Sequence, residues 1–359
     1  MAASHPYDFS VQSSLGDYEV RFRDDLVAEL QGTLRSGDVV VADRAIVDLH
    51  RERLGEVLKQ HRVMVLDATE QQKSYREIAP LIEELCRCGF GRGDRLVALG
   101  GGITQDITAF MSSILYRGVD WIFVPTTLLA QGDSCIGSKT SINCGEFKNQ
   151  LGGFYPPRVI VIDTEFLRTL PRQELLSGLG EMAHYFPIAG HAAFCQYAER
   201  LPEAMRDGSD LDELINESLR IKRGYIERDE FDRAERQVFN YGHSFGHALE
   251  SVTGYAMPHG IAVSYGMDLA NLVSVRLGFL DPTVRTEIRE PLKAIWQEVP
   301  MPVVDLQKFG AALKHDKKNR GDHLGLILTK GFGQMFKHYC TMDQELSKWI
   351  AEFFVEIRQ

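Results

Sequence analysis

Apolar residues gather in short unbroken runs through the first half of the chain. These are Val39-Val40-Val41-Ala42-Asp43, Val63-Met64-Val65-Leu66-Asp67, Leu96-Val97-Ala98-Leu99, Trp121-Ile122-Phe123-Val124 and Val159-Ile160-Val161-Ile162-Asp163. Continuous rather than alternating apolar runs of this length fit strands covered on both faces, as in a parallel sheet. Between them the period changes. Ser74 to Cys86 puts Ile78, Leu81, Ile82 and Leu85 on one helical face, and Ile103 to Tyr116 reads as another helix. Strand alternating with helix predicts a doubly wound α/β domain. Beyond Leu170-Pro171 the strand-like runs give way to helical patterns at Glu174–Tyr185, Asp212–Glu227, Asn240–Val252 and Ile261–Leu277. The expected organisation is an α/β domain over residues 1–170 and a mainly helical domain over 171–359, with no internal repeat.

Composition narrows the function classes. Hydrophobic residues at 44% and charged residues at 25% of the 359 exclude a disordered or fibrous chain. Forty Lys and Arg against fifty Asp and Glu leave a net charge of −10, which argues against a nucleic-acid binder. A local basic pocket for a small anion remains compatible with that surplus. No apolar run approaches the ~18 residues of a membrane span. Met1 to Asp8 has neither the basic nor the apolar region of a secretory leader. Six scattered cysteines, with no second pair to complement Cys86 and Cys88, read as reduced thiols and point to the cytoplasm.

Three segments carry candidate chemistry. Gly100-Gly101-Gly102 lies between a strand and a helix, where a close-approaching backbone and a helix N-terminus suit a pyrophosphate. Gln105 stands where the full dinucleotide fingerprint has its last glycine, so a tight turn explains the string equally well. Thr126 and Thr127, at the end of the next strand, add hydroxyls on the ligand-binding edge of such a sheet. The second segment, Asp133 to Thr140 followed by Lys148-Asn149, offers lysines and an amide to a phosphate or carboxylate, or is simply a solvated loop. The third is Asn240-Tyr241-Gly242-His243-Ser244-Phe245-Gly246-His247. Histidines at i and i+4 share a helical face, and with His259 and Glu181 they compose a donor set for a catalytic divalent metal.

Taken together these strings resemble the 3-dehydroquinate synthase family, the sugar phosphate cyclases. The resemblance is carried by Gly100-Gly101-Gly102-Ile103-Thr104-Gln105-Asp106, Arg117-Gly118, Val124 to Gln131, Lys148-Asn149, Gly242 to His247 and the Asp316-Lys317-Lys318 segment. It implies a Rossmann-like parallel-sheet NAD domain followed by a mainly helical metal- and substrate-binding domain. NAD would be held by Asp43, Glu70, Lys73, Gly101, Gly102, Asp106, Thr126, Thr127, Lys148 and Thr169. Zinc, or cobalt in its place, would be ligated by Glu181, His243 and His259. His247 would then turn to the substrate, with Asp133, Lys139, Asn149, His184, Lys222, Arg236, Asn240, Lys317 and Lys318. Arg117 would reach the partner subunit's site in a homodimer. The implied reaction oxidises a ring hydroxyl transiently with NAD, eliminates phosphate, reduces the ketone again and closes a carbocycle by an intramolecular aldol step. Zinc would serve as the Lewis acid.

Some positions depart from the family pattern. His184 stands where the family usually has Lys, Ser138 where it has Gly, Phe147 where Gly is common, and Ile261 where it has Glu. These changes read as drift or as a change of substrate. Arg236 and the retained His247 favour an acid substrate of the heptulosonate 7-phosphate type over sedoheptulose 7-phosphate or glucose 6-phosphate, with an amino-heptulosonate phosphate also open. A metal-dependent alcohol dehydrogenase of the glycerol dehydrogenase type is the alternative enzyme, disfavoured by Lys139, Lys148 and Arg236, which a neutral polyol does not need. A noncatalytic ligand sensor is the third reading, suggested only by His184 and the other departures.

Overall fold

The computed structural model describes residues 4–145, 147–314, 319, 321 and 323–358. By internal contacts the chain forms two compact units, one made of the residues up to Leu170 together with Arg223–Phe231, the other of Pro171–Lys222 and Asp232 onward.

In chain order the first unit holds β1 (Phe9–Val11), β2 (Tyr18–Phe22), α1 (Leu26–Thr33), β3 (Val39–Asp43), α2 (Arg44–Leu49), α3 (Arg51–Lys59), β4 (Arg62–Leu66), α4 (Tyr75–Arg87), β5 (Leu96–Gly100), α5 (Gly102–Ile114), β6 (Trp121–Pro125), β7 (Lys139–Cys144), β8 (Phe147–Phe154) and β9 (Val159–Ile162). Seven of these strands form one sheet in the order β1-β2-β9-β6-β5-β3-β4. All neighbours run parallel except β1, which pairs antiparallel with β2. One face is closed by Val40, Val97, Ile122, Val124 and Val161 packing on Leu26 and Leu30 of α1, Leu54 and Val57 of α3, and Phe166. Helix α5 packs on β3, β5 and β6 with Ile107 and Met111 fully buried, whereas the edge strand β4 leaves Val65 exposed, so its apolar run is not covered on both faces as expected. The chain leaves β3 to one side for β4 and returns to the other side for β5. That reversal is the switch point at which open α/β sheets bind ligands, beyond the strands' carboxyl ends. Asp43 and Gly100 are the last residues of the two strands that flank it.

The second unit holds α6 (Arg172–Met182), α7 (Tyr185–Ala189), α8 (His191–Asp207), α9 (Leu211–Ile226, whose last turn counts with the first unit), α10 (His243–Val252), α11 (His259–Arg276), α12 (Pro282–Glu298), α13 (Leu306–Lys314), the hairpin β10 (His323–Thr329) with β11 (Met335–Thr341), and α14 (Gln344–Glu356). Helix α11 is its axis, buried without interruption from Gly260 to Ser274. Such a helix has no polar stripe, and several of its polar side chains bond to neighbouring helices and segments instead of water. Ser264 Oγ accepts the Trp296 indole N–H at 2.9 Å, Asn271 Oδ1 accepts the Tyr241 hydroxyl at 2.6 Å, and Asp268 accepts from Arg285 at 2.8 Å.

Glycines let α6, α10 and α11 meet backbone to backbone. A Cβ on Gly260 would lie 1.8 Å from the Ser177 carbonyl oxygen and 2.5 Å from the Glu181 nitrogen. One on Gly266 would lie 2.1 Å from the Gly242 carbonyl oxygen, and Gly242 itself sits at φ +81°, in the left-handed region that favours glycine. No helix among the described residues is long and apolar enough to cross a membrane.

A direct contrast tests this packing. Gly266→Ala must push α10 and α11 apart and should lower stability by about 1–3 kcal/mol. Gly55→Ala, in the interior of α3 with nothing within 4 Å of the added carbon, should raise it by about 0.5–1 kcal/mol. Urea midpoints of the two variants should therefore move in opposite directions.

Candidate functional site

The glycine contacts of the helical unit set three donors against one another. Glu181 comes from the last turn of α6, His243 opens α10, and His259 opens α11. His243 Nε2 lies 3.3 Å from Glu181 Oε1, and His259 Nε2 lies 3.4 Å from Glu181 Oε2. Around a tetrahedral zinc with the usual Zn–N and Zn–O lengths, neighbouring donors stand about 3.3 Å apart. The spacing suits an ion between them. Glu181 is only 3% exposed, and its Oε2 has no hydrogen bond of its own. Burial alone would raise the Glu181 carboxyl, but the imidazoles of His243 and His259 outweigh it and hold the group well below the usual carboxylate range.

The far nitrogens of both rings are tied. The Tyr241 carbonyl oxygen, 3.2 Å from His243 Nδ1, can only accept, so Nδ1 carries the hydrogen. Glu250 Oε2 accepts likewise from His259 Nδ1 at 3.0 Å. Each ring therefore presents Nε2 to Glu181, the orientation that metal-binding histidines adopt when a neighbour fixes their tautomer. Sequence reasoning did not single out Glu250. Its signal was its place seven residues after His243, on the same face of the helix.

His247 is exposed one turn further along α10, with its ring 5.6 Å from those of His243 and His259. With Glu250 and His259 it makes a second group of three donors within 4.8 Å of one another. His184, 1% exposed, donates Nδ1–H to the Glu181 carbonyl oxygen at 2.5 Å and lies edge to face with His243, centroids 5.2 Å apart. Lys222 on α9 and Arg236 in a 3₁₀ turn over Glu235–Asn240 are both buried cations, and Asn240 donates to the Gln237 carbonyl at 3.0 Å. Ile261, fully buried, follows Gly260 directly. Lys317 and Lys318 lie outside the described residues.

In the sheet unit, Gly101 caps α5 with extended backbone, and a Cβ there would lie 2.9 Å from Thr127 Cγ2. Asp43 accepts from the Ala45 N–H at 3.0 Å, and Thr126 is buried beyond β6. Thr169 lies after β9, its hydroxyl 2.9 Å from His50 Nε2. Lys73, buried, bonds Asp106 Oδ2 at 2.9 Å and Asn149 Oδ1 at 2.7 Å, and Asp106 Oδ1 accepts the Ser141 N–H at 3.0 Å. Burial raises the Asp106 carboxyl in spite of Lys73. Glu70 accepts from Asn143 at 2.7 Å, so Ser141 and Asn143 of the β7–β8 hairpin join this network, which the sequence did not show. Asp133 sits in a helical turn over Ala130–Ser134, and Lys139 and Lys148 are exposed on β7 and β8. Ser138 sits at φ +64°, a left-handed position where a glycine would be unstrained, and Phe147 is 70% exposed. The α5 helix stops at Ile114, short of the expected Tyr116, because Tyr116, Arg117 and Gly118 turn left-handed at φ +51°, +68° and +120°.

The 3-dehydroquinate synthase N-terminal family model matches residues 63–177, and the C-terminal model matches 178–319. The chain is 33% identical to a 3-dehydroquinate synthase of Bartonella quintana over 331 residues, covering 89% of this chain and 88% of the relative. It is 37% identical to one from Rhodospirillum rubrum over 309 residues, covering 82% and 80%. Among solved structures, 2-deoxy-scyllo-inosose synthase complexed with carbaglucose-6-phosphate, NAD+ and Co2+ superimposes with a TM-score of 0.82 at 23% identity, over 96% of this chain and 99% of that one. A 2-epi-5-epi-valiolone synthase from Streptomyces hygroscopicus with NAD+ and Zn2+ bound gives 0.82 at 23%, over 97% and 99%. A glycerol dehydrogenase from Schizosaccharomyces pombe gives 0.59 at 18%, over 89% and 84%. At these identities the likenesses to solved structures speak for the fold.

Glu250 offers a test of the site that needs no substrate. Glu250→Gln keeps the size but weakens the hold on His259 Nδ1–H, and zinc affinity by competitive chelator titration should fall about 10–100-fold. Unchanged affinity would mean that Glu250 does not orient the ring.

Proposed function

We propose that this chain, which belongs to the 3-dehydroquinate synthase family, is an NAD- and zinc-dependent sugar phosphate cyclase of the cytoplasm. It would release phosphate from a heptulosonate 7-phosphate-type substrate and close a carbocycle, as a carbon–oxygen lyase. The observation that carries this reading is the meeting of Glu181, His243 and His259 with both imidazoles oriented by their far nitrogens. The buried Glu181 Oε2 without a hydrogen bond, together with a carboxylate and two imidazoles at ligand–ligand spacing, fits a divalent ion such as Zn2+ or Co2+. The six cysteines of the chain are free thiols, in keeping with a reducing compartment.

When bound, the ion would polarise a substrate oxygen as a Lewis acid and NAD would accept and return a hydride. The rest falls to the chain. Asp43, Glu70, Lys73, Gly101, Gly102, Asp106, Thr126, Thr127, Lys148 and Thr169 would hold the dinucleotide, and the placing of Asp43 and the glycines at the switch point supports this. Lys73, already bonded to Asp106, would hold that carboxyl group aimed at a ribose hydroxyl. Arg236 and Lys222, desolvated cations, would clamp a carboxylate and phosphate oxygens more firmly than exposed ones, helped by Asp133, Lys139, Asn149, Asn240, His247, Lys317 and Lys318. His184 would hold the Glu181 backbone through Nδ1 and carry a proton at the opposite ring edge. Arg117, exposed on its left-handed turn, would enter the second subunit's site in a homodimer.

Purified protein supplied with NAD, Zn2+ and 3-deoxy-arabino-heptulosonate 7-phosphate should release inorganic phosphate without net NADH. Failure with this and every other sugar phosphate in a panel would overturn the proposal, and net NADH from a simple alcohol would favour the dehydrogenase. His243→Ala should abolish phosphate release and lower bound zinc while NAD binding persists. Arg236→Ala should raise KM for an acid substrate far more than for a carboxylate-free one; equal losses would show that Arg236 does not read the carboxylate.

A further inference from the structure

Helices α8 and α12 bring together another set of metal-ligating side chains, sharing no residue with the Glu181, His243 and His259 group. His191 opens α8, Cys195 lies one turn on along the same face, and Glu287 faces them from α12. Each contributes a donor atom within 4.8 Å of the others. His191 Nε2 is the centre of the arrangement, 3.7 Å from Cys195 Sγ and 2.5 Å from Glu287 Oε1. Its ring is backed by Phe332, with centroids 4.7 Å apart, and Phe332 is itself seated on Phe194 at 5.2 Å. The imidazole is thus braced from behind while its Nε2 edge points at a sulfur and a carboxylate.

We propose that His191, Cys195 and Glu287 form a peripheral binding site for a thiophilic divalent cation of the Zn2+ or Co2+ type, joining α8 to α12. The spacing supports it. For Zn–N and Zn–S bonds of ordinary length about a tetrahedral ion, nitrogen and sulfur stand about 3.6 Å apart, and His191 and Cys195 already do. Nitrogen and carboxylate oxygen should stand about 3.3 Å apart, so Glu287 must draw back by somewhat less than 1 Å. Its side chain is 44% exposed and has the freedom to do so. The choice of donors excludes the hard cations, since Mg2+ and Ca2+ take oxygen ligands and avoid thiolates. Partial exposure of all three residues leaves the fourth position to water. Binding displaces the thiol hydrogen of Cys195 as a proton, while the neutral His191 imidazole moves its hydrogen from Nε2 to Nδ1, so one proton leaves per cation and affinity should rise with pH.

The sulfur makes the test specific, because the Glu181, His243 and His259 set has none. The reduced full-length protein is titrated with Co2+ and followed by ultraviolet absorption and by metal analysis. The site predicts a thiolate-to-cobalt charge-transfer band that saturates with one equivalent of metal bound beyond that taken by the Glu181, His243 and His259 set. The band should disappear in Cys195→Ser, weaken in Glu287→Gln and survive in His243→Ala. Cys195→Ser should also lose one equivalent of bound Zn2+ and the part of the zinc-dependent rise in Tm that the clamp supplies. Absence of a charge-transfer band at saturating Co2+, or its persistence in Cys195→Ser, would overturn the site. Neither result bears on phosphate release, so this proposal and the cyclase reading fail separately.

Discussion

Backbone contact between three helices is the constraint on which the helical unit depends. With side chains between them, packed helix axes stand 8–10 Å apart. Gly260 against Ser177 and Glu181, and Gly266 against Gly242, remove that layer and let α11 touch α6 and α10 directly. The three donors then need no long reach. Glu181 lies opposite Gly260, His259 immediately precedes Gly260, and His243 immediately follows Gly242. The residues that hold the helices together and those that hold the metal are neighbours in sequence. A substitution aimed at packing is here also a change to the site.

The electrostatics follow from that closeness. A carboxylate as buried as Glu181 is costly unless positive charge faces it. The imidazoles of His243 and His259 approach it more closely than that of His184, and both are held by their Nδ1 hydrogens so that Nε2 is the atom presented. The same arrangement can be stabilised by protonated histidines or by a divalent ion, and the second matches the undonated Glu181 Oε2. In the sheet unit the corresponding device is Lys73, whose two bonds to Asp106 and Asn149 draw the β7–β8 hairpin to the end of α5.

Much of this was legible in the sequence, and for physical reasons. Strands covered on both faces leave uninterrupted apolar runs, and Val39–Asp43 falls where its run lies. Strand β2 escaped because Tyr18-Glu19-Val20-Arg21-Phe22 alternates, with Tyr18, Val20 and Phe22 buried and the charged pair between them turned away. The β10–β11 hairpin escaped in a stretch read as helical. Helical periodicity put His243 and His247 on one face but could not tell which of them meets α6, since that depends on contacts far apart in sequence. The family resemblance singled out His243, and the coordinates bring it to Glu181 while placing His247 beside Glu250. Glu250, Ser141 and Asn143 were not legible, because each acts by hydrogen-bonding a partner that the fold brings near.

The account turns on where a divalent ion sits. Anomalous diffraction from crystals grown with zinc, recorded at the zinc edge, tests this most directly. The predicted result is a peak within about 2.0–2.2 Å of a Glu181 oxygen and the Nε2 atoms of His243 and His259. A peak at His247, Glu250 and His259 instead, with none beside Glu181, would contradict it.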